Sequence, residues 1–271
     1  MNISVLCGNA QQLEASEGYL SEGDTAILEC DGFAAETFPV IIGRLREKRL
    51  RVSLALPYIF RDPAIGWLGE NLGRILEAGF DEILVRNPGE LEYLSEKAPD
   101  GPALVTDYNV YAMNSVSSGM LKEFGASRIT APIELNEREL SGLGLSDKEL
   151  IVYGHLPMMF SAQCLRKNIK GCDRTPGVLY LKDRTGKRMP VQNKCPWCYN
   201  IILNALPLCL CETADRVLRM KPAVIRLSFT IEDGDTVRRV MKAYIAAYRE
   251  GKKVNEPAEE YTRGHMNRGV E

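Results

Sequence analysis

RVSLALPYIFRDPAIGWLGENLGRILEAGFDEILVRN, residues 51–87, reads as one strand–helix–strand unit. RVSLALP (51–57) and EILVRN (82–87) are short, nearly unbroken aliphatic runs, the pattern of strands covered on both faces. Between them, IGWLGENLGRILEAGF places Ile65, Leu68, Leu72, Ile75 and Leu76 on one helical face and stops at Gly79. Aliphatic strands alternating with amphipathic helices are the mark of parallel βα units.

Outward from this unit the same rhythm recurs. ISVLC (3–7), TAILEC (25–30), ALVTDY (103–108), RITAPI (128–133), ELIVYG (149–154) and VIRLSF (224–229) bring the predicted strands to eight. Eight βα units predict an α/β fold, a (β/α)8 TIM-like barrel, closed by the helix DTVRRVMKAYIAAYREG. One connection breaks the rhythm, since strands seven and eight are separated by a long cysteine-rich stretch. The expected organisation is a single barrel over 1–251, including a cysteine-rich insertion at 156–222, followed by a polar tail at 252–271. No internal repeat or low-complexity tract divides the chain further.

Composition narrows the class. The chain is 45% hydrophobic and 26% charged with net charge −2, an ordinary globular balance with no global basic field for DNA. No apolar run approaches the roughly 18 residues of a membrane span. MNISVLCGNAQQLEAS lacks a basic n-region and an apolar h-region, so a cytoplasmic location is expected. In a reducing compartment, eight cysteines favour ligands and buried thiols over disulfides.

Four of those cysteines, Cys164, Cys172, Cys195 and Cys198, fall in one segment with the spacing C-x7-C-x22-C-x2-C. Thiolates are soft ligands that select zinc or iron–sulfur clusters. A zinc ribbon normally shows two short chelating loops and this segment has one, an irregularity that an iron–sulfur cluster tolerates better. Buried structural thiols are the plain alternative. The segment is also basic, with Arg166, Lys167, Lys170, Arg174, Lys182, Arg184, Lys187, Arg188 and Lys194 opposed by Asp173 and Asp183. Such an island suits a small anionic substrate, an RNA backbone or a thiolate-ligated cluster, or it is a solvated loop. Cys209 and Cys211, at LCLC, sit in an apolar stretch read as helical and are not expected to be ligands.

Because barrel enzymes work at the C-terminal ends of their strands, the residues there are the site candidates. They are Glu29, Tyr58, Arg86, Asn87, Asp107, Asn109, Glu134, His155, Arg226 and Ser228. His155, Asp107, Glu134 and Arg226 are assigned as catalytic candidates converging on one mouth, with Arg86, Asn109 and Tyr153 as substrate-binding candidates. His155 stands out as one of two histidines, directly after strand seven. No G-x-S-x-G elbow, H-E-x-x-H helix or P-loop is present.

At YGHLPMMFSAQC (153–164) the sequence resembles peptidase family U-32, a collagenase-like family. VTDYNVYAMNS (105–115), APIELNERELSGL (131–143), YLKDRTGKRMPV (180–191) and YTRGHMNRGVE (261–271) resemble further segments of that family in the same order. The resemblance implies a barrel bearing a [4Fe-4S] cluster on cysteines near strand seven. It also implies oxygen-independent hydroxylation of an RNA base or an aromatic or quinone precursor, with prephenate as a possible co-substrate. The short length and the GHLP-x-x-x-S-A-x-C wording look most like the small subunit of the family's paired ubiquinone-hydroxylation proteins, which implies a heterodimer with a larger family member. On that likeness Cys164 matches a ligand position, Cys172, Cys195 and Cys198 match in order but not in spacing, and Cys30 is a reserve ligand. His155 and His265 fall on family motifs. A collagenase-like peptidase and a non-catalytic electron-transfer or structural partner are the alternative functions.

Overall fold

The computed structural model describes residues 1–254, 257 and 260–269. Its strands are β1 (Asn2–Cys7), β2 (Thr25–Glu29), β3 (Arg51–Ala55), β4 (Glu82–Val85), β5 (Ala103–Thr106), β6 (Ala126–Thr130), β7 (Lys148–Gly154), β8 (Pro157–Ser161), β9 (Gly177–Lys182), β10 (Arg188–Lys194), β11 (Tyr199–Leu203), β12 (Leu208–Cys209) and β13 (Val224–Ser228). Eight of them, β1 to β7 and β13, pair in parallel, and closure through β6–β7, β7–β13 and β13–β1 makes the barrel. All eight fall on the runs read from the sequence.

Strand alternation divides the apolar runs between two compartments. Ile3, Val5, Leu28, Val52, Leu54, Ile83 and Val85 belong to the main core, which also contains Phe38, Ile42, Leu45, Leu68 and Ile75 of the surrounding helices. Leu6, Ile27, Ala55, Leu84 and Val105 form a separate small cluster on the other strand face, inside the barrel. The interior therefore has room for polar side chains beside that cluster.

Helix α1 (Ala10–Glu17) follows β1, α2 (Phe38–Glu47) follows β2 and α3 (Asp62–Ala78) follows β3. The chain leaves α3 at Gly79 in the left-handed region (φ 79°), as expected. The buried face of α3 is Ala64, Leu68, Asn71, Ile75 and Ala78, whereas Ile65 and Leu76 are exposed. The buried face is thus rotated by about one residue from the expected one, with the small Ala64 and Ala78 in place of Ile65 and Leu76.

The remaining helices are α4 (Pro88–Lys97), α5 (Ser115–Glu123), α6 (Glu137–Leu143), α7 (Leu165–Lys170), α8 (Ala214–Arg219) and α9 (Gly234–Tyr248). Asn87 and Asn136 cap α4 and α6 by accepting bonds from Glu90 and Glu139 N–H groups at 3.0 Å. The closing helix is α9, which buries Val237, Val240, Met241, Tyr244 and Tyr248.

The insertion leaves the C-terminal end of β7 at Gly154, whose φ of +143° and close approach to Ser228 (a Cβ would lie 2.4 Å from its carbonyl oxygen) admit no side chain. It forms a four-stranded antiparallel sheet in the order β8–β11–β10–β9. Lys194–Asp31 (2.9 Å), Gln192 to the Thr230 carbonyl (2.9 Å) and the Tyr58–Phe160 ring contact (4.7 Å) hold this sheet over the barrel mouth. The LCLC stretch is not helical: Leu208–Cys209 form β12, antiparallel to β7, because the chain returns along the barrel there. The described part of the C-terminal segment packs beside it, with Cys209 N–H donating to the Thr262 carbonyl (2.9 Å) and Met266 buried. Residues 270–271 of the terminal motif lie outside the described residues. Among the described residues, no helix is long and apolar enough to cross a membrane.

Candidate functional site

The barrel interior is built around two buried guanidiniums. Arg86 makes a two-pronged contact with Glu29 (2.7 and 2.9 Å), reaches Asp107 through Nε (3.0 Å) and donates to the Leu56 carbonyl (2.9 Å). Arg226 donates to the other Asp107 oxygen (2.7 Å), to Thr130 Oγ1 (2.7 Å) and to Glu149, which also accepts from Ser4. Asp107 is thus the bridge between the two arginines. Burial alone would raise the carboxyls of Asp107, Glu149 and Glu29. The adjoining guanidiniums, Arg226 for the first two and Arg86 for Glu29, instead hold them below the usual carboxylate range.

Three carboxylates therefore face two guanidiniums, so the interior cations are already neutralised. Among the described residues, Arg226 Nε is buried with no hydrogen-bond partner. Arg226 lies on a cavity of about 30 Å³ between the barrel and the insertion sheet, lined also by His155, Tyr58, Tyr108, Lys194 and Ser228. That volume is about one water molecule. His155 Nδ1 lies 2.8 Å from the Asn204 carbonyl oxygen, which can only accept. Nδ1 therefore carries the proton, leaving Nε2 as the exchangeable nitrogen. The Arg86 guanidinium stacks 3.8 Å over the Tyr58 ring, fixing one wall.

The four clustered cysteines all belong to the insertion, with Cys164 and Cys172 flanking α7 and Cys195 and Cys198 between β10 and β11. CPWC (195–198) is the hairpin turn between β10 and β11, closed by a Cys198 N–H to Cys195 carbonyl bond (3.3 Å), with Cys198 in the left-handed region (φ 57°). Cys164 immediately precedes α7. All four thiols line one pocket of about 520 Å³, together with Lys167, Arg174 and Lys194. Burial and the neighbouring Cys164 and Cys172 push the Cys195 thiol up. Lys194 lines both this pocket and the mouth cavity. Among the described residues, no group of three His, Cys, Asp or Glu side chains is gathered tightly enough for a single metal ion.

The other predicted residues are dispersed. Asn109 is a loop anchor, its amide donating to the Arg86 carbonyl (2.7 Å). Glu134 is half-buried and faces His265 of the C-terminal segment, with burial raising its carboxyl. Tyr153 turns away from the mouth and packs on Phe229 and Tyr244 at 5.6 and 5.8 Å. The cause is a register shift in β7: Ile151 pairs with Arg226 but Tyr153 with Leu227, so Tyr153 changes face. Cys30 is buried at the end of β2 and is not part of the four-thiol pocket. Glu149, Ser4 and Thr130, none of them a candidate from the sequence, complete the ion network. The one available signal was a carboxylate opening the aliphatic run ELIVYG.

The sequence profile of peptidase family U32 matches residues 28–271. The structure of the U32 peptidase Mk0906 aligns with TM-score 0.46 and 14% identity, covering 57% of this chain and 70% of that one. Chitinase ChiW from Paenibacillus sp. str. FPU-7 aligns with TM-score 0.46 and 8% identity, covering 92% of this chain and 43% of that one. The Bacillus cereus spore cortex-lytic enzyme SleL gives TM-score 0.42 and 10% identity over 90% of this chain and 74% of its own. The curated proteins give no match.

Proposed function

The chain belongs to peptidase family U32, and from that premise we propose that it is a cytoplasmic iron–sulfur protein supporting oxygen-independent hydroxylation, or a related modification, of an RNA base or an aromatic or quinone precursor. The observation that carries this reading is the meeting of Cys164, Cys172, Cys195 and Cys198 on one pocket. The donor set fits a cluster better than a single ion. Tetrahedral zinc with Zn–S bonds of about 2.3 Å draws its thiolates to within about 4 Å of one another. A four-iron cluster spreads its cysteines over four metals, which suits thiols that share a pocket without converging on one point.

A cluster held there would supply electron transfer. Lys194, anchored by Asp31, lies on the wall between the cysteine pocket and the mouth cavity and keeps a fixed positive charge between them. His155 Nε2 and Arg226 Nε offer proton exchange and a hydrogen bond to an oxygen-sized group in that cavity. With the interior arginines already paired, binding of an anionic substrate or of prephenate falls to the exposed cations of the insertion, Lys167 and Arg174 foremost. A larger family member is the proposed partner.

Protein purified without oxygen should contain about four iron and four sulfide per chain. Stoichiometric zinc without iron would overturn the proposal. So would gelatin cleavage by contaminant-free protein that is lost in His155→Ala, since that result selects the peptidase alternative.

A further inference from the structure

Helix α5 is amphipathic in the wrong sense for a barrel helix. It buries Ser118 alone and exposes Val116 (80%) and Met120 (55%), and Phe124 (58%) at its C-terminal cap continues the i, i+4, i+8 spacing. The neighbouring α4 leaves a groove beside that face, of about 470 Å³, floored by Leu91, Met120, Leu121 and Phe124. Scattered surface apolar residues need no explanation, but a continuous stripe beside a concave floor marks a contact surface.

The rim says what kind of contact. Glu92 and Glu96 line the groove at i, i+4 on α4 and are exposed, and among the described residues neither makes an ion pair. Like charges at that spacing repel each other in the isolated chain. A cation laid along the groove reverses the sign of that interaction. Helices α4 and α5 have 10 and 9 residues, and at about 1.5 Å per residue each presents roughly two and a half turns.

We infer that the α4–α5 groove docks an amphipathic helix of a partner protein, with its apolar face on Met120 and Phe124 and a lysine or arginine pair at i, i+4 against Glu92 and Glu96. This surface is separate from the cysteine pocket and the barrel mouth, and its role does not depend on the chemistry proposed there. Helix-in-groove recognition of this kind reads apolar anchors at i, i+3, i+4 and i+7, with charge setting register and orientation.

The test uses the full chain and two fluorescein-labelled synthetic 15-residue helical peptides with identical leucine spacing. One carries lysine pairs at i, i+4 and the other carries glutamates at the same positions. Fluorescence anisotropy should show the lysine peptide binding at least tenfold more tightly, with the difference shrinking as salt rises. Phe124→Ser should weaken it at least tenfold, and Glu92→Lys/Glu96→Lys should reverse the preference between peptides. All these residues are exposed, so unchanged circular dichroism and melting temperature will certify folded variants. Equal affinity for the two peptides, or lysine-peptide binding indifferent to both variants, would overturn the inference. A homodimer in sedimentation that Phe124→Ser dissociates would overturn it too, because the occupant would then be a second copy of this chain.

Discussion

Replacing Asp107 by Asn keeps the shape of the side chain and removes the charge that joins the two interior arginines. Asp107 contacts Arg86 at 3.0 Å and Arg226 at 2.7 Å, and its side chain and both guanidiniums are 1% exposed or less. Removing one partner of a buried ion pair costs about 3–5 kcal/mol, because the surviving charge stays out of water without compensation. Glu29 and Glu149 still hold one arginine each, so the expected cost is about 4 kcal/mol, which for a domain of this size is a fall of roughly 8–16 °C in melting temperature. Urea denaturation of wild type and Asp107→Asn at several pH values is the assay. The folded-state pKa of Asp107 is depressed. Its contribution is therefore complete above the unfolded value of about 3.9 and is lost as pH falls through the folded value. The gap between the proteins should hold constant from pH 8 to pH 5 and begin to close below about pH 4. A gap under about 1 kcal/mol at pH 7, or one that widens on acidification, would refute the view that Asp107 is an ionised bridge.

Glu90 should behave in the opposite direction: burial pushes its carboxyl up to about 8, so the stability it lends is present at low pH and lost as pH rises towards 8. Glu90→Gln should therefore gain on wild type in urea midpoints between pH 5 and pH 8. Cys164→Ser should abolish iron retention on anaerobic purification while Cys209→Ser, buried beside Tyr244, retains it, and equal loss from both would refute the ligand assignment. Trp197 sits inside the CPWC turn, its ring 5.5 Å from that of Trp67. Loading the cysteine pocket with metal should quench tryptophan emission, and Trp197→Phe should remove most of that response. Gly32→Ala should destabilise by about 1–3 kcal/mol, since its Cβ would lie 2.1 Å from the Gly8 carbonyl oxygen, and a melting temperature within 1–2 °C of wild type would contradict it.

The barrel is legible in the amino-acid order alone. Aliphatic runs such as TAILEC and RVSLALP, alternating with capped amphipathic helices, admit few other arrangements, because strands apolar on both faces must be covered on both. The same order also determined that four cysteines and a basic segment share one insertion at the C-terminal end of β7. The tertiary structure decided what faces what. One extra residue in the pairing of β7 with β13 sent Tyr153 out to α9 and left Ile151 beside Arg226, and no local pattern in ELIVYG marks that shift. Arg226, read from the sequence as a cation for a substrate, is shared between Asp107 and Glu149, residues 119 and 77 positions away in the chain. Which charges remain available for a ligand depends on such distant pairings. Periodicity reports on neighbours within a few residues, whereas the electrostatics of a closed barrel are set by strands that meet only when the sheet is complete.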